Sequence, residues 1–169
     1  MIRRNGVIYL AGPIGGLTWE AATRWRANVA SMLSPLTCLS PLRDTDDGRS
    51  LRSSHHVTDG GRLTNEGKDS AIPFEELFAR DETDCCVLSN LVFFNYLGAK
   101  TLSVGTNSEL SWCRALAIPR VVVIEDEGNP NLHPFLIPQF QNRFNNVADA
   151  VNFVRKRFRL QEYLAGSAA

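Results

Sequence analysis

LVFFNYLGAKTLSVGTNSELSWCRALAIPRVVVI, residues 91–124, carries one complete strand–helix–strand unit. Leu91-Val92-Phe93-Phe94 is a short apolar run rich in β-formers, and Val121-Val122-Val123-Ile124 is a second with no polar residue at all. Between them the spacing predicts a helix over 106–117, and Pro119 separates that helix from the second run. Strands that are apolar throughout have both faces buried, and strands alternating with helices run parallel.

Outward from this unit the pattern repeats. Val7-Ile8-Tyr9-Leu10 reads as a buried strand ended by Ala11-Gly12-Pro13. Trp19, Ala22, Trp25, Arg26, Val29 and Leu33 recur at three- and four-residue steps, a helix that Pro35 stops. Thr37 to Ser40 is another short strand, closed by Pro41. Pro73 suits the first turn of a helix carrying Phe74, Leu77, Phe78, Asp81 and Cys85. Val147, Ala150, Val151, Val154 and Phe158 predict a last amphipathic helix. Residues 43–72 are polar and read as a long loop, and the tail 165–169 as frayed. The expectation is one domain, 1–169, of class α/β. It is a flavodoxin-like, doubly wound parallel sheet of four to five strands in the order 2-1-3-4-5, with helices on both faces. In such sheets ligands bind beyond the carboxyl ends of the strands, at the point where strand order reverses. That rule selects AGPIGG after the first strand, residues 95–109 after the third, and EDEGN after the fourth.

Composition bounds the function. The chain has 169 residues, 44% hydrophobic and 21% charged, with a formal net charge of zero, so no broad basic face for nucleic acid is implied. Arg155, Lys156, Arg157 and Arg159 read as a solvated helix face. The opening MIRRNGVIYLAGPIGG has a signal-like start, but Gly12-Pro13 and Gly15-Gly16 break it and no run reaches membrane-spanning length. Cys38, Cys85, Cys86 and Cys113 show no CxxC pair and no zinc spacing, which suits free thiols in a reducing cytoplasm. His55, His56 and His133 have no metal partner in sequence, and no Ser-His-Asp arrangement is arguable.

The residues with chemistry to offer gather at the selected segments. Thr106-Asn107-Ser108-Glu109 matches a capping box, with Thr106 as cap and Glu109 bonding back to it. A carboxylate in a first helical turn at the crevice is also held ionised by the helix dipole, as a displacement at an electrophilic carbon requires. Tyr9 closes the first strand at the same end of the sheet. GPIGG lets backbone approach a sugar or phosphate, yet lacks the G-x-G-x-x-G dinucleotide spacing. Asp81 and Asp84 share a helix face, and Asp81 also shares it with Leu77 and Phe78, which calls for a partner or a ligand.

Taken together IYLAGPI, Trp25-Arg26, SPLR at 40–43, Arg80-Asp81, NYLGAKTLSVGTNSELSWCRALAIP, EDEGN and His133-Pro134-Phe135 resemble the nucleoside 2-deoxyribosyltransferase family over residues 7–154, with 44–72 outside the match. The resemblance implies that Glu109 attacks C1′ of a deoxyribose, that Tyr9 orients it, and that Asp81 relays a proton to the leaving nucleobase. Gly12, Pro13 and Ile14 match the loop beside the sugar, and Arg43, Asp84, Ser103 and Gly105 complete the substrate-binding set. It implies no metal or organic cofactor. The partners it implies are a deoxynucleoside or deoxynucleotide and a free nucleobase, with no nucleic acid, no membrane, and a homo-oligomer, dimer or higher, in which a neighbour closes the pocket.

Two positions depart from the family pattern. Transferases of the family place an aspartate six residues before the nucleophile, where this chain has Ser103. A serine there resembles the related 2′-deoxynucleoside 5′-monophosphate N-glycosidases, and a hydroxyl accepts a phosphate that a carboxylate repels. Asn90 stands where members carry an acid. The reading ranks base exchange on deoxynucleosides ahead of monophosphate hydrolysis. A non-catalytic nucleotide-binding sensor is the alternative of another class.

Overall fold

The computed structural model describes residues 6–43, 56–57, 63–64 and 74–160. In chain order the main elements are β1 (Val7–Ala11), α1 (Trp19–Met32), β2 (Thr37–Leu39), α2 (Phe74–Thr83), β3 (Leu91–Asn95), α3 (Val104–Ala115), β4 (Arg120–Val123), β5 (Arg143–Phe144) and α4 (Val147–Arg157). A π-helical turn, Asp84–Leu88, continues α2, and a short 3₁₀ turn, Ile137–Gln139, precedes β5. The five strands form one all-parallel sheet in the order β2-β1-β3-β4-β5, the flavodoxin-like arrangement.

The period of two along each strand decides what faces what. Ile8, Leu10, Leu91, Phe93, Val121 and Val123 pack with Val29 of α1 and with Ala150, Val151 and Val154 of α4. Tyr9, Ala11, Val92, Phe94 and Val122 point the other way, onto Cys85 of the π turn and Leu110 and Cys113 of α3. Both faces are therefore covered, which is why these strands read as unbroken apolar runs. The same parity puts the Tyr9 side chain on the face that carries α3.

Several expectations change in detail. The fifth strand is only Arg143-Phe144, too short for any periodicity. The polar stretch 43–72 contains an antiparallel pair, His56–Val57 with Leu63–Thr64. Pro73, His55 and the tail 165–169 lie outside the described residues.

Helix α3 starts at Val104, so the cap position belongs to Ser103 and not to Thr106. The Ser103 carbonyl accepts the Asn107 N–H at 2.9 Å, which closes the first helical bond one turn earlier than the capping-box reading requires. Gly105 is then inside the helix and makes no turn; the positive φ of this connection, 74°, is at Gly98.

Candidate active site

At the carboxyl ends of β1 and β3, where strand order reverses, lies a cavity of about 410 Å³. One wall is Gly12-Pro13-Ile14-Gly15, the chain leaving β1; another is Thr101 to Thr106, running into α3; Pro41, Leu77 and Asp81 close it from the side, and Glu109 also lines it. The first wall can approach β3 this closely only because residue 12 has no side chain. A Cβ there would sit 2.7 Å from the Asn95 carbonyl oxygen and 2.9 Å from the Trp25 ring.

Glu109 lines this cavity, and Tyr9, which is not among the lining residues, bonds to Glu109. The Tyr9 hydroxyl donates to Glu109 Oε1 at 2.7 Å, and both side chains are buried. Glu109 is in the second turn of α3 and makes no capping bond, because the helix begins at Val104. Nor is it held ionised. Burial pushes its carboxyl up to about 8, the Tyr9 hydrogen bond and the Arg26 charge pull it down, and nearby Asp81 pushes it up. Burial outweighs the helix dipole, whose effect is about 0.3–1 kcal/mol at exposed positions and falls off beyond the first turn. Burial also raises the Tyr9 hydroxyl well above its usual range, with Glu109 adding to it, so Tyr9 remains a donor.

Asp81 lines the same cavity from α2. Its Oδ1 accepts from Arg80 Nη2 at 3.0 Å and from Arg80 Nε at 3.1 Å, while Arg80 Nη2 also reaches the Pro41 carbonyl at 2.7 Å. Burial raises the Asp81 carboxyl, opposed by Arg80. The cavity thus holds two carboxyl groups that burial biases toward the acid form, and Asp81 adds to that bias on Glu109.

The remaining candidates divide. Pro13, Ile14, Ser103 and Gly105 line the cavity with Gly12. Ser103 Oγ and Thr106 Oγ1 are 2.8 Å apart, and no acidic side chain occupies the first turn of α3. Arg43 and Asp84 are not among the lining residues: they form an ion pair with each other, and Arg43 Nη1 also donates to the Ser40 carbonyl at 3.2 Å. Asn90 has a structural task. Its Oδ1 accepts the Val7 N–H at 2.8 Å and its own N–H donates to the Val7 carbonyl at 2.8 Å, extending the β1–β3 ladder by one residue.

Two sets of residues were not assigned to the site from sequence. Arg26 is buried on α1 and donates to backbone carbonyls around Gly12. An arginine within an apolar helical stripe is the signal that marks it. Behind the second wall, Asn129 Nδ2 donates to the Tyr96 carbonyl at 2.7 Å and to Glu125 Oε2 at 2.6 Å, and Gly98 N donates to Glu125 Oε1 at 2.7 Å. Asn131, fully buried, accepts from Asn107 Nδ2 at 3.2 Å and donates to Asn129 Oδ1 at 3.1 Å, and Asn107 Oδ1 accepts the Tyr96 hydroxyl at 2.9 Å. The EDEGN segment therefore braces the cavity wall from behind. Among the described residues no cluster of three or more His, Cys, Asp or Glu could hold a metal ion. Nor is any described helix long and apolar enough to cross a membrane.

No family model matches the chain, and no match is found among the curated proteins. Among solved structures it is similar to a conserved protein from Enterococcus faecalis V583, at 18% identity and a TM-score of 0.50, over 88% of this chain and 87% of that one. At that identity the likeness concerns the fold.

Proposed function

We propose that the protein is a deoxyribosyl-transferring enzyme that cleaves the N-glycosidic bond of 2′-deoxynucleosides through a covalent intermediate on Glu109. The observation that carries this reading is the Tyr9–Glu109 hydrogen bond at the switch point of the sheet, with Glu109 lining one cavity together with Asp81. The Glu109 carboxylate attacks C1′ as the C1′–N bond breaks, and the bonding pair leaves with the nucleobase. Asp81 in its acid form gives that nitrogen its proton. A second nucleobase then attacks C1′, expels the Glu109 carboxylate, and returns a proton to Asp81. Two carboxyl groups thereby serve as nucleophile and acid, as in retaining glycosidases. Tyr9, which keeps its proton, orients Glu109 and balances the carboxylate released in the second step.

The reaction needs Glu109 ionised and Asp81 protonated. Since burial favours the proton on Glu109, the active arrangement is a minor protonation state at neutral pH. The pH–rate profile of the free enzyme is therefore expected to be bell-shaped, falling once both carboxyls are ionised.

A second reading, hydrolysis of deoxynucleoside 5′-monophosphates, draws on the hydroxyls of Ser103 and Thr106 at a helix start that has no acid in its first turn. Gly105 lines the cavity with open space where a Cβ would stand, which leaves room for an occupant. Base exchange is ranked first and hydrolysis second.

A homo-oligomer belongs to the same proposal. Val104 is 81% exposed at the cavity rim, and the neighbouring outer face of α3, with Leu102, Trp112 and Leu136, forms an open apolar groove. A cytoplasmic setting is proposed with it, in keeping with the four free cysteines.

Incubation with deoxyinosine plus adenine, and separately with deoxynucleoside monophosphates, followed by chromatography, tests the assignment. Deoxyadenosine from the first mixture supports exchange, and free base and deoxyribose phosphate from the second supports hydrolysis. No product from either, despite binding in the cavity, contradicts both and leaves a sensor.

A further inference from the structure

Arg26 is 3% exposed, yet among the described residues no carboxylate lies within ion-pair distance of it. Its guanidinium is spent on backbone carbonyls: Nε donates to Leu10 at 3.2 Å, Nη2 to Gly12 at 2.8 Å, and Nη1 to Ala22 one turn earlier on α1. The ring of Trp25 covers it, with Cζ 4.5 Å from the ring centroid. A buried cation satisfied only by neutral acceptors keeps its full charge for more distant groups, and the low-dielectric surroundings let that charge act at range.

We propose that Arg26 is a positioning residue of the candidate site, with two tasks. It clamps the carbonyls on either side of Ala11, which fixes the chain where β1 becomes the Gly12 wall, and it supplies the fixed counter-charge to Glu109. The second task has its physical basis in what surrounds that carboxyl. The titratable groups acting on Glu109 or within reach of it are Tyr9 of β1, Asp81 of α2, Cys85 and Cys86 of the π turn, Tyr96 after β3, and Arg26 of α1. Arg26 is the cation of this set. Burial lowers the guanidinium to about 10, opposed by Tyr9, Glu109 and Asp81, so it remains charged across the neutral range. Lysine reproduces the charge but not the fork that spans three carbonyls, and glutamine removes the charge.

The counter-charge can be read without any substrate; only the task given to Glu109 rests on the proposed function. The full-length protein is labelled with glutamate carrying 13C at the side-chain carboxyl. Glu109 is assigned by the resonance missing from Glu109→Gln. Its titration is followed in the native chain, in Arg26→Gln and in Arg26→Lys. Removal of the charge is expected to raise the midpoint by about one pH unit or more, a tenfold gain in proton affinity. Arg26→Lys is expected to hold the midpoint within about 0.3 unit of the native one. An unmoved midpoint in Arg26→Gln, or equal shifts in both variants, overturns the proposal. Where Arg26→Gln gives no folded protein, Arg26→Met takes its place as the charge-free variant under the same criteria, and a rise of a full unit in Arg26→Lys overturns the counter-charge. A protein that shows these shifts but turns over no nucleoside retires the proposed reaction and keeps the role of Arg26.

Discussion

The Tyr9 hydroxyl donates to Glu109 Oε1 at 2.7 Å across 100 residues of sequence, joining the middle of β1 to the second turn of α3. In Tyr9→Phe the carboxylate form of Glu109 loses this hydrogen bond. Bonds to charged groups contribute about 1.5–3 kcal/mol, so Glu109 is expected to hold its proton to a pH at least one unit higher. Activity at pH 7 should fall roughly ten- to a hundredfold, and the deficit relative to the native protein should shrink at alkaline pH, where Glu109 ionises in both. A pH–rate profile with both limbs in the same place in both proteins would show that the hydroxyl does not act on Glu109.

Glu109 also sets a pH dependence of folding. Its carboxyl stands near 8 in the native protein and near the ordinary value of 4.5 when unfolded. A group whose folded value is raised gives its full contribution below the unfolded value and loses it as pH climbs through the folded value. Relative to Glu109→Gln, the native chain should therefore lose stability between about pH 4.5 and pH 8, by on the order of a few kcal/mol. Urea denaturation of both proteins at pH 5, 7 and 9 measures it: the difference should turn in favour of Glu109→Gln as pH rises. Parallel stability curves would mean that Glu109 is ionised in the folded state at all these values.

Asp81 faces the cavity with Arg80 bonded to one of its oxygens. Asparagine keeps an acceptor for Arg80 and cannot deliver a proton. Asp81→Asn is expected to slow poor leaving groups by about a hundredfold or more and to spare substrates whose base leaves without protonation. Equal slowing of both classes would reduce Asp81 to a shaping role.

Ser103 stands at the cap position of α3 without making a capping bond. In Ser103→Asp a carboxylate meets the free N–H groups of the first turn, which should raise stability by about 0.5–1 kcal/mol. The same carboxylate should weaken a 5′-monophosphate at least tenfold against the plain nucleoside, if the phosphate lies at this turn. Calorimetric titration with deoxyguanosine and its monophosphate, beside thermal melts, separates the two effects. A variant that is more stable and binds both ligands unchanged would remove the 5′ group from this turn.

The strand order was legible because β1, β3 and β4 are continuous apolar runs, with polar residues only at their ends (Asn95 and Arg120), and they alternate with helices, as a doubly covered parallel sheet requires. The position of the cavity follows from that order. The start of α3 was not legible to the residue, since Ser103 and Thr106 are both good caps, and the choice falls to Ser103, whose carbonyl accepts the Asn107 N–H. The charge state of Glu109 was misread for a related reason: sequence shows a helix start, whereas burial between Tyr9 and the rest of that face decides the proton. Arg43 and Asp84 looked like binding residues because nothing in the sequence reveals that they pair across 41 residues. Asn129 and Asn131 could be placed in a loop but not in a brace, because each bond they make is to a different part of the chain.

The central claim is that Glu109 forms a bond to the sugar. The protein is incubated with a 2-fluoro-arabinosyl nucleoside, whose fluorine slows the second step more than the first, then digested and examined by mass spectrometry. The account predicts a glycosyl adduct on the peptide carrying Glu109, released when an acceptor base is added and absent from Glu109→Ala. Release of the nucleobase with no adduct on the protein, or an adduct on another residue that persists in Glu109→Ala, would contradict it.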